Sequence, residues 1–205
     1  MINKPKIKET CICLLSDSIK DNIYSNLNIT GTEINVSLSD VVLDGSIFNN
    51  VNFSSYDIKN VDLIDCIFNS CDLSNVNFDS RYIRRVQFNN CKLMGTIFDN
   101  TNFSDAIFNN CTLKYISFNK ALIKNVHFIS CNMEEGTFMN TIIKDVIFDV
   151  CNLKKSDFCE TSLANIDLSS SDIEGIRINV KDLKGSTINL IEAIIVANML
   201  GINVK

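Results

Sequence analysis

The residues that first suggest chemistry are five cysteines at twenty-residue spacing: Cys71, Cys91, Cys111, Cys131 and Cys151. Thiols in series are candidate metal ligands or redox groups. No histidine joins them, however, and side chains recurring at one constant interval stack facing the same way instead of converging on a centre. A small apolar residue filling a repeated core slot accounts for them better. His127, the single histidine, would need a partner and a pocket for acid–base or metal work. The aspartates are scattered singly, and no glycine-rich phosphate loop occurs. The sequence therefore predicts no enzyme, no catalytic residue, no cofactor and no metal.

The spacing of those cysteines belongs to a larger pattern. From Leu38 to Ile188 an apolar residue recurs at every fifth position, always Leu, Phe, Ile or Met. Helices repeat every 3.6 residues and strands every 2, so neither gives this beat. A second period of twenty lies on the first. Phe48, Phe68, Phe88, Phe108, Phe128 and Phe148 share it, as do Phe78, Phe98, Phe118, Phe138 and Phe158. Four five-residue units then make one turn of a solenoid, with like residues stacked on like. The central residue of each unit points inward. So does the residue two before it, which is mostly small or β-branched (Val51, Cys71, Thr96, Ala106, Val126). The other three positions carry nearly all the polar residues and face water. Asn49, Asn50, Asn69, Asn89, Asn90, Asn109 and Asn110 are expected at the corners, where Asn tolerates left-handed geometry.

Units such as Cys71-Asp72-Leu73-Ser74-Asn75, Val51-Asn52-Phe53-Ser54-Ser55 and Thr101-Asn102-Phe103-Ser104-Asp105 resemble the pentapeptide-repeat family. The resemblance covers about three-quarters of the chain and implies an all-β fold: a right-handed, quadrilateral parallel β-helix. The period alone does not give the hand.

A net charge of −5 argues against direct binding to nucleic acid. No apolar run approaches the roughly 18 residues of a membrane span. Many cysteines, with no secretory signal at the charged start, point to a reducing cytoplasm. The chain divides into an irregular N-terminal cap (1–28), the β-helix (29–188) and a C-terminal helix and tail (189–205). A weaker beat through Ile29 and Ile34 runs one residue out of phase, so a one-residue slip is expected near 35–37. The first two dozen residues are expected to cover the open end, which is an unpaired sheet edge. Asn189 and Glu192 read as a capping box opening a helix over Leu190–Leu200, with Gly201 as its stop. Apolar residues lie all round this helix. Leu190, Ile191, Ile194, Ile195, Met199 and Leu200 are therefore expected to form a homodimer contact.

The side carrying Phe48 to Phe148 is almost uncharged. The side carrying Phe78 to Phe158 holds Asp40, Asp57, Asp79, Asp99, Asp157 and Glu160 against Lys59, Lys120 and Arg177, while Arg81, Arg84 and Arg85 cluster on an adjoining side. The uninterrupted helix, its size and the Lys184-Gly185 step before the terminal helix look like the quinolone-resistance (Qnr-type) members of the family. That resemblance implies a DNA-mimicking dimer that binds DNA gyrase or topoisomerase IV and confers fluoroquinolone resistance, with Asp57, Asp79, Asp99, Asp157 and Glu160 as partner-binding residues. The other reading is a non-enzymatic interaction scaffold for an unrelated cytoplasmic partner.

Overall fold

The computed structural model describes residues 1–8, 19–20, 22–31, 38–56 and 58–204. It is a right-handed, four-sided parallel β-solenoid closed by one helix. Three short strands come first: β1 (Ile19–Lys20), β2 (Ile23–Ser25) and β3 (Asn28–Thr30). Then follow β4 (Leu38–Asp44), β5 (Ile47–Asn49), β6 (Ile58–Ile64), β7 (Ile67–Asn69), β8 (Tyr82–Asn89), β9 (Asn102–Asn109), β10 (Leu122–Ile129) and β11 (Ile142–Asp149). The chain ends in α1 (Leu190–Met199).

From β4 onward the parallel register is twenty residues, as in Leu38↔Ile58, Phe68↔Phe88 and Phe128↔Phe148. Isolated bridges carry the same register to Asp167↔Thr187. The first coil differs: β2 and β3 pair with β4 and β5 nineteen apart, Ile23↔Val42 and Ile29↔Phe48. One residue is therefore missing from that turn. The stretch expected to hold the slip, 35–37, lies outside the described residues. Parallel pairing begins at Ile23, while β1 folds back antiparallel on β2.

We number the sides by their inward columns. Side one carries Phe48 to Phe148. Side two carries Phe53, Leu73, Leu93, Leu113, Met133 and Leu153. Side three carries Ile58 and Phe78 to Phe158. Side four carries Leu43, Leu63, Ile83, Phe103 and Ile123. All of these are buried. On side one the rings stack at centroid distances such as 4.8 Å for Phe88–Phe108 and 4.9 Å for Phe108–Phe128, close to the strand spacing of about 4.8 Å. Rings from sides one and three also meet edge-on, as Phe108 and Phe118 do at 89°. Parallel stacks crossed by edge contacts are favoured arrangements for aromatic pairs.

The corners explain why the unit has five residues. The second residue after most central ones takes a left-handed conformation, for example Asn50 (φ 55), Arg85 (φ 51), Asn90 (φ 54), Asn110 (φ 53) and Val150 (φ 53). Asn is well suited there, and a β-branched residue such as Val150 is strained. The expected corner asparagines thus divide. Asn50, Asn90 and Asn110 turn the corner, whereas Asn49, Asn69 and Asn89 end strands and form a ladder. In it, Asn69 donates Nδ2–H to Asn49 Oδ1 (2.9 Å) and Asn89 donates to Asn69 Oδ1 (3.0 Å).

Residues 1–8 lie along the rod and not across its end. Asn3 donates its backbone N–H to Asp105 Oδ1 (3.1 Å) and Lys6 donates its own to Asp65 Oδ1 (2.8 Å). The Met1 carbonyl accepts from Asn125 Nδ2. This extended strap follows one corner column from coil to coil.

Candidate functional site

The five cysteines are core residues with a second duty. Each is buried, and each thiol donates to the carbonyl of the phenylalanine twenty-three residues earlier, such as Cys111 Sγ to Phe88 O at 3.3 Å. Thr101 and Thr141 use the same slot and the same bond, to Phe78 O and Phe118 O at 2.7 Å. The slot takes a small or β-branched residue, and where that residue is Cys, Thr or Ser its side chain adds this bond. The following thiol in the run lowers Cys91, Cys111 and Cys131, but the preceding thiol and burial together outweigh it and push all three up to about 12, which suppresses the reactive thiolate. Hydrogen bonding from Cys91 instead lowers Cys71 at the end of the run.

His127 sits half-exposed on side one, between Ile107 and Ile147. Partial burial and then the Met1 ammonium lower its pKa. Among the described residues, no group of three or more His, Cys, Asp and Glu is arranged to hold a metal ion. No helix among them is long and apolar enough to cross a membrane.

The side-three carboxylates do not form one surface. Asp79 and Asp99 occupy adjacent coils. Asp79 Oδ1 accepts from Asn100 Nδ2 (2.7 Å), and Asp99 Oδ1 accepts from Ser117 Oγ (2.5 Å) and the Asn119 N–H (2.9 Å). Asn119 and Met139 then separate them from Asp157 and Glu160. Asp157 is 6% exposed; it accepts from the Cys159 N–H (2.9 Å) and faces Arg177 Nη1 at 3.4 Å. Glu160 is exposed at a left-handed corner (φ 59). Asp57 lies outside the described residues.

Side two is laced with ion pairs between coils: Lys114–Glu134 (2.9 Å), Lys154–Asp172 (3.1 Å) and Lys154–Glu174 (2.7 Å). On side four Arg85 grips Asp65 bidentately (2.6 and 2.5 Å). Burial would raise the Asp65 carboxyl, but Arg85 and the Lys6 N–H together hold it below the usual carboxylate range.

At the carboxyl end, Asn189 Oδ1 accepts from the Glu192 N–H at 3.0 Å, capping α1. Only this half of the expected box forms. Glu192 Oε1 turns to the Ile173 N–H (3.4 Å) on the last coil, its Oε2 is buried with no hydrogen-bond partner among the described residues, and burial raises its pKa. Gly201 (φ +74) follows the helix. Glu192 and Val196 face the rod. Leu190 (82%), Ile191 (72%), Ile194, Met199 and Leu200 are exposed, and Ile195 is half-exposed.

Comparison with known proteins agrees with this repeat. The family described as pentapeptide repeat region matches residues 61–128 and 121–194, and that described as pentapeptide repeats (8 copies) matches 37–79. The chain belongs to the pentapeptide-repeat family. No curated protein sequence matches it. Among solved structures, a trypsin-treated single-residue variant of QnrB1, a plasmid-mediated fluoroquinolone resistance protein, is 22% identical with a TM-score of 0.41. That match covers 89% of this chain and 90% of that one. A pentapeptide repeat protein of the Arabidopsis thaliana thylakoid lumen is 25% identical (TM-score 0.38, 48% and 66% covered). HetL of the cyanobacterium Nostoc, involved in regulating heterocyst differentiation, is 15% identical (TM-score 0.34, 80% and 86% covered).

Proposed function

We propose that the chain is a non-catalytic binding protein that acts as a tail-to-tail dimer, and that its target is a type II topoisomerase whose DNA channel the dimer occupies. The observation that carries the reading is the pairing of a net-negative solenoid with an apolar terminal helix left uncovered on its outer face. Exposed Leu190, Ile191, Ile194 and Leu200 on one copy would be buried by the same residues of a second, in the self-complementary way of a two-fold contact. Two rods joined at that end make a long, narrow, acidic particle, which suits a basic channel by charge complementarity. Such a role would make the protein cytoplasmic and able to protect gyrase or topoisomerase IV from fluoroquinolones.

One observation favours the second reading, a scaffold for a different protein. The outward acids of side three, Asp79, Asp99 and Glu160, are interrupted by Asn119 and Met139, and Asp157 is consumed by Arg177. A gyrase supercoiling assay with and without a fluoroquinolone separates the two. Inhibition or drug protection at micromolar protein, weakened by Asp79→Lys with Asp99→Lys, supports the topoisomerase. Neither effect at that concentration rejects it and leaves the scaffold.

A further inference from the structure

Side four carries a surface on which apolar and cationic residues run side by side. Its outward positions form two neighbouring columns across β8 to β11. One column is Tyr82, Asn102, Leu122 and Ile142; the other is Arg84, Ser104, Lys124 and Lys144. Tyr82, Leu122 and Ile142 are 60%, 40% and 64% exposed. Arg84, Lys124 and Lys144 are exposed and form no ion pair among the described residues. Within each strand the apolar and cationic residues are two apart, about 7 Å, on one face. Successive coils repeat the pair at about 4.8 Å.

The strap of residues 1–8 adds to this character. It runs along the adjoining corner, and its Lys4, Lys6 and Lys8 are exposed. It also engages the acids beside the column, of which Asp105 keeps its charge near Arg84. Asp65 is held by Arg85 and the Lys6 N–H, and Asp105 accepts from Asn3. A groove of about 640 Å³ lies between strap and column, lined by Met1, Asn3, Arg84, Ser104, Lys124 and Asn125 and also by Asp105 and Asp145.

We infer that side four is a docking surface for an extended acidic protein segment bearing apolar residues, which lies along the rod over Tyr82, Leu122 and Ile142 with its carboxylates on Arg84, Lys124 and Lys144. Charge complementarity names the sign of the occupant. Width names its form. The paired stripe is one residue of each kind broad, and Asp105 and Asp145 border it. An anionic membrane plane would press its headgroups on those acids, whereas a single chain avoids them. DNA, with its broad polyanionic backbone, would also meet the acids of the neighbouring sides. The surface is separate from α1 and from side three, so it stands whether or not the partner of those regions is a topoisomerase.

The test uses the full chain and a fluorescein-labelled glutamate–tyrosine copolymer as probe, read by fluorescence anisotropy at low salt. Saturable binding is expected, weakened at least about tenfold by Arg84→Glu, Lys124→Glu and Lys144→Glu together. Leu122→Asn with Ile142→Asn is expected to weaken it as well, and Lys120→Glu on side three to leave it unchanged. All these side chains face solvent, and circular dichroism checks the fold. Should the triple reversal not fold, Lys124→Gln with Lys144→Gln serves in its place. No binding, wild-type binding by the column variants, or capture by phosphatidylserine vesicles in place of the copolymer would overturn the inference.

Discussion

The middle of the rod and its carboxyl end treat apolar residues in opposite ways. Between coils, each large inward side chain finds another apolar one beside it: Phe108 lies between Phe88 and Phe128 and is 0% exposed. At α1 the repetition stops, and Leu190 and Ile191 are left 82% and 72% exposed. Repetition is self-satisfying, since each coil covers the last. The end of a repeat therefore leaves apolar surface uncovered, and the proposed dimer contact is placed there.

The contrast is tested hardest by Phe108→Ala. Opening a hole between two stacked rings should cost about 4 kcal/mol, read as a lowered midpoint in urea denaturation. A loss comparable to that of a surface substitution would mean the stack is slack. Ile191→Asp should do the reverse, leaving the unfolding midpoint nearly unchanged while converting dimer to monomer in sedimentation equilibrium; an unaltered mass would remove α1 from the contact.

Arg85→Ala probes the strap, whose hold on the rod passes through Asp65. Losing a bidentate charged bond should cost about 2 kcal/mol at neutral pH. Because the folded Asp65 carboxyl lies below its usual range, this contribution is present at neutral pH and is lost as pH falls below about 4 through the folded value. The wild type should therefore lose stability on acidification faster than the variant, and parallel pH profiles would contradict the assignment. The smallest effect is expected from Cys111→Ser, about 1 kcal/mol or less, because Ser156 and Ser171 already make the same bond to Met133 O and Phe148 O. A larger loss would show that the sulfur's volume matters more than its donor.

The sequence makes the interior legible because the pattern is strict: the five-residue beat from Leu38 to Ile188 determines which side chains stack, and the structure pairs them twenty apart. The cap of α1 is equally plain in Asn189. Other features depend on geometry that no spacing reveals. Glu192 completes its bond on Ile173 because the last coil offers a free N–H there. The strap follows the side-four corner because Asp65 and Asp105 present acceptors along one column to the N–H groups of Lys6 and Asn3. Asp157 reads as a surface acid in the sequence, yet Arg177, one coil on, covers it. Charge pairs between coils are visible only once the register is known, so the side-three carboxylates read alike in the sequence and part company in the structure.

Small-angle X-ray scattering tests the central claim most directly, by comparing the wild type with Ile191→Asp. Tail-to-tail association through α1 predicts a wild-type particle about twice as long as the variant with the same cross-section. Equal lengths, or a doubled cross-section at unchanged length, would contradict it.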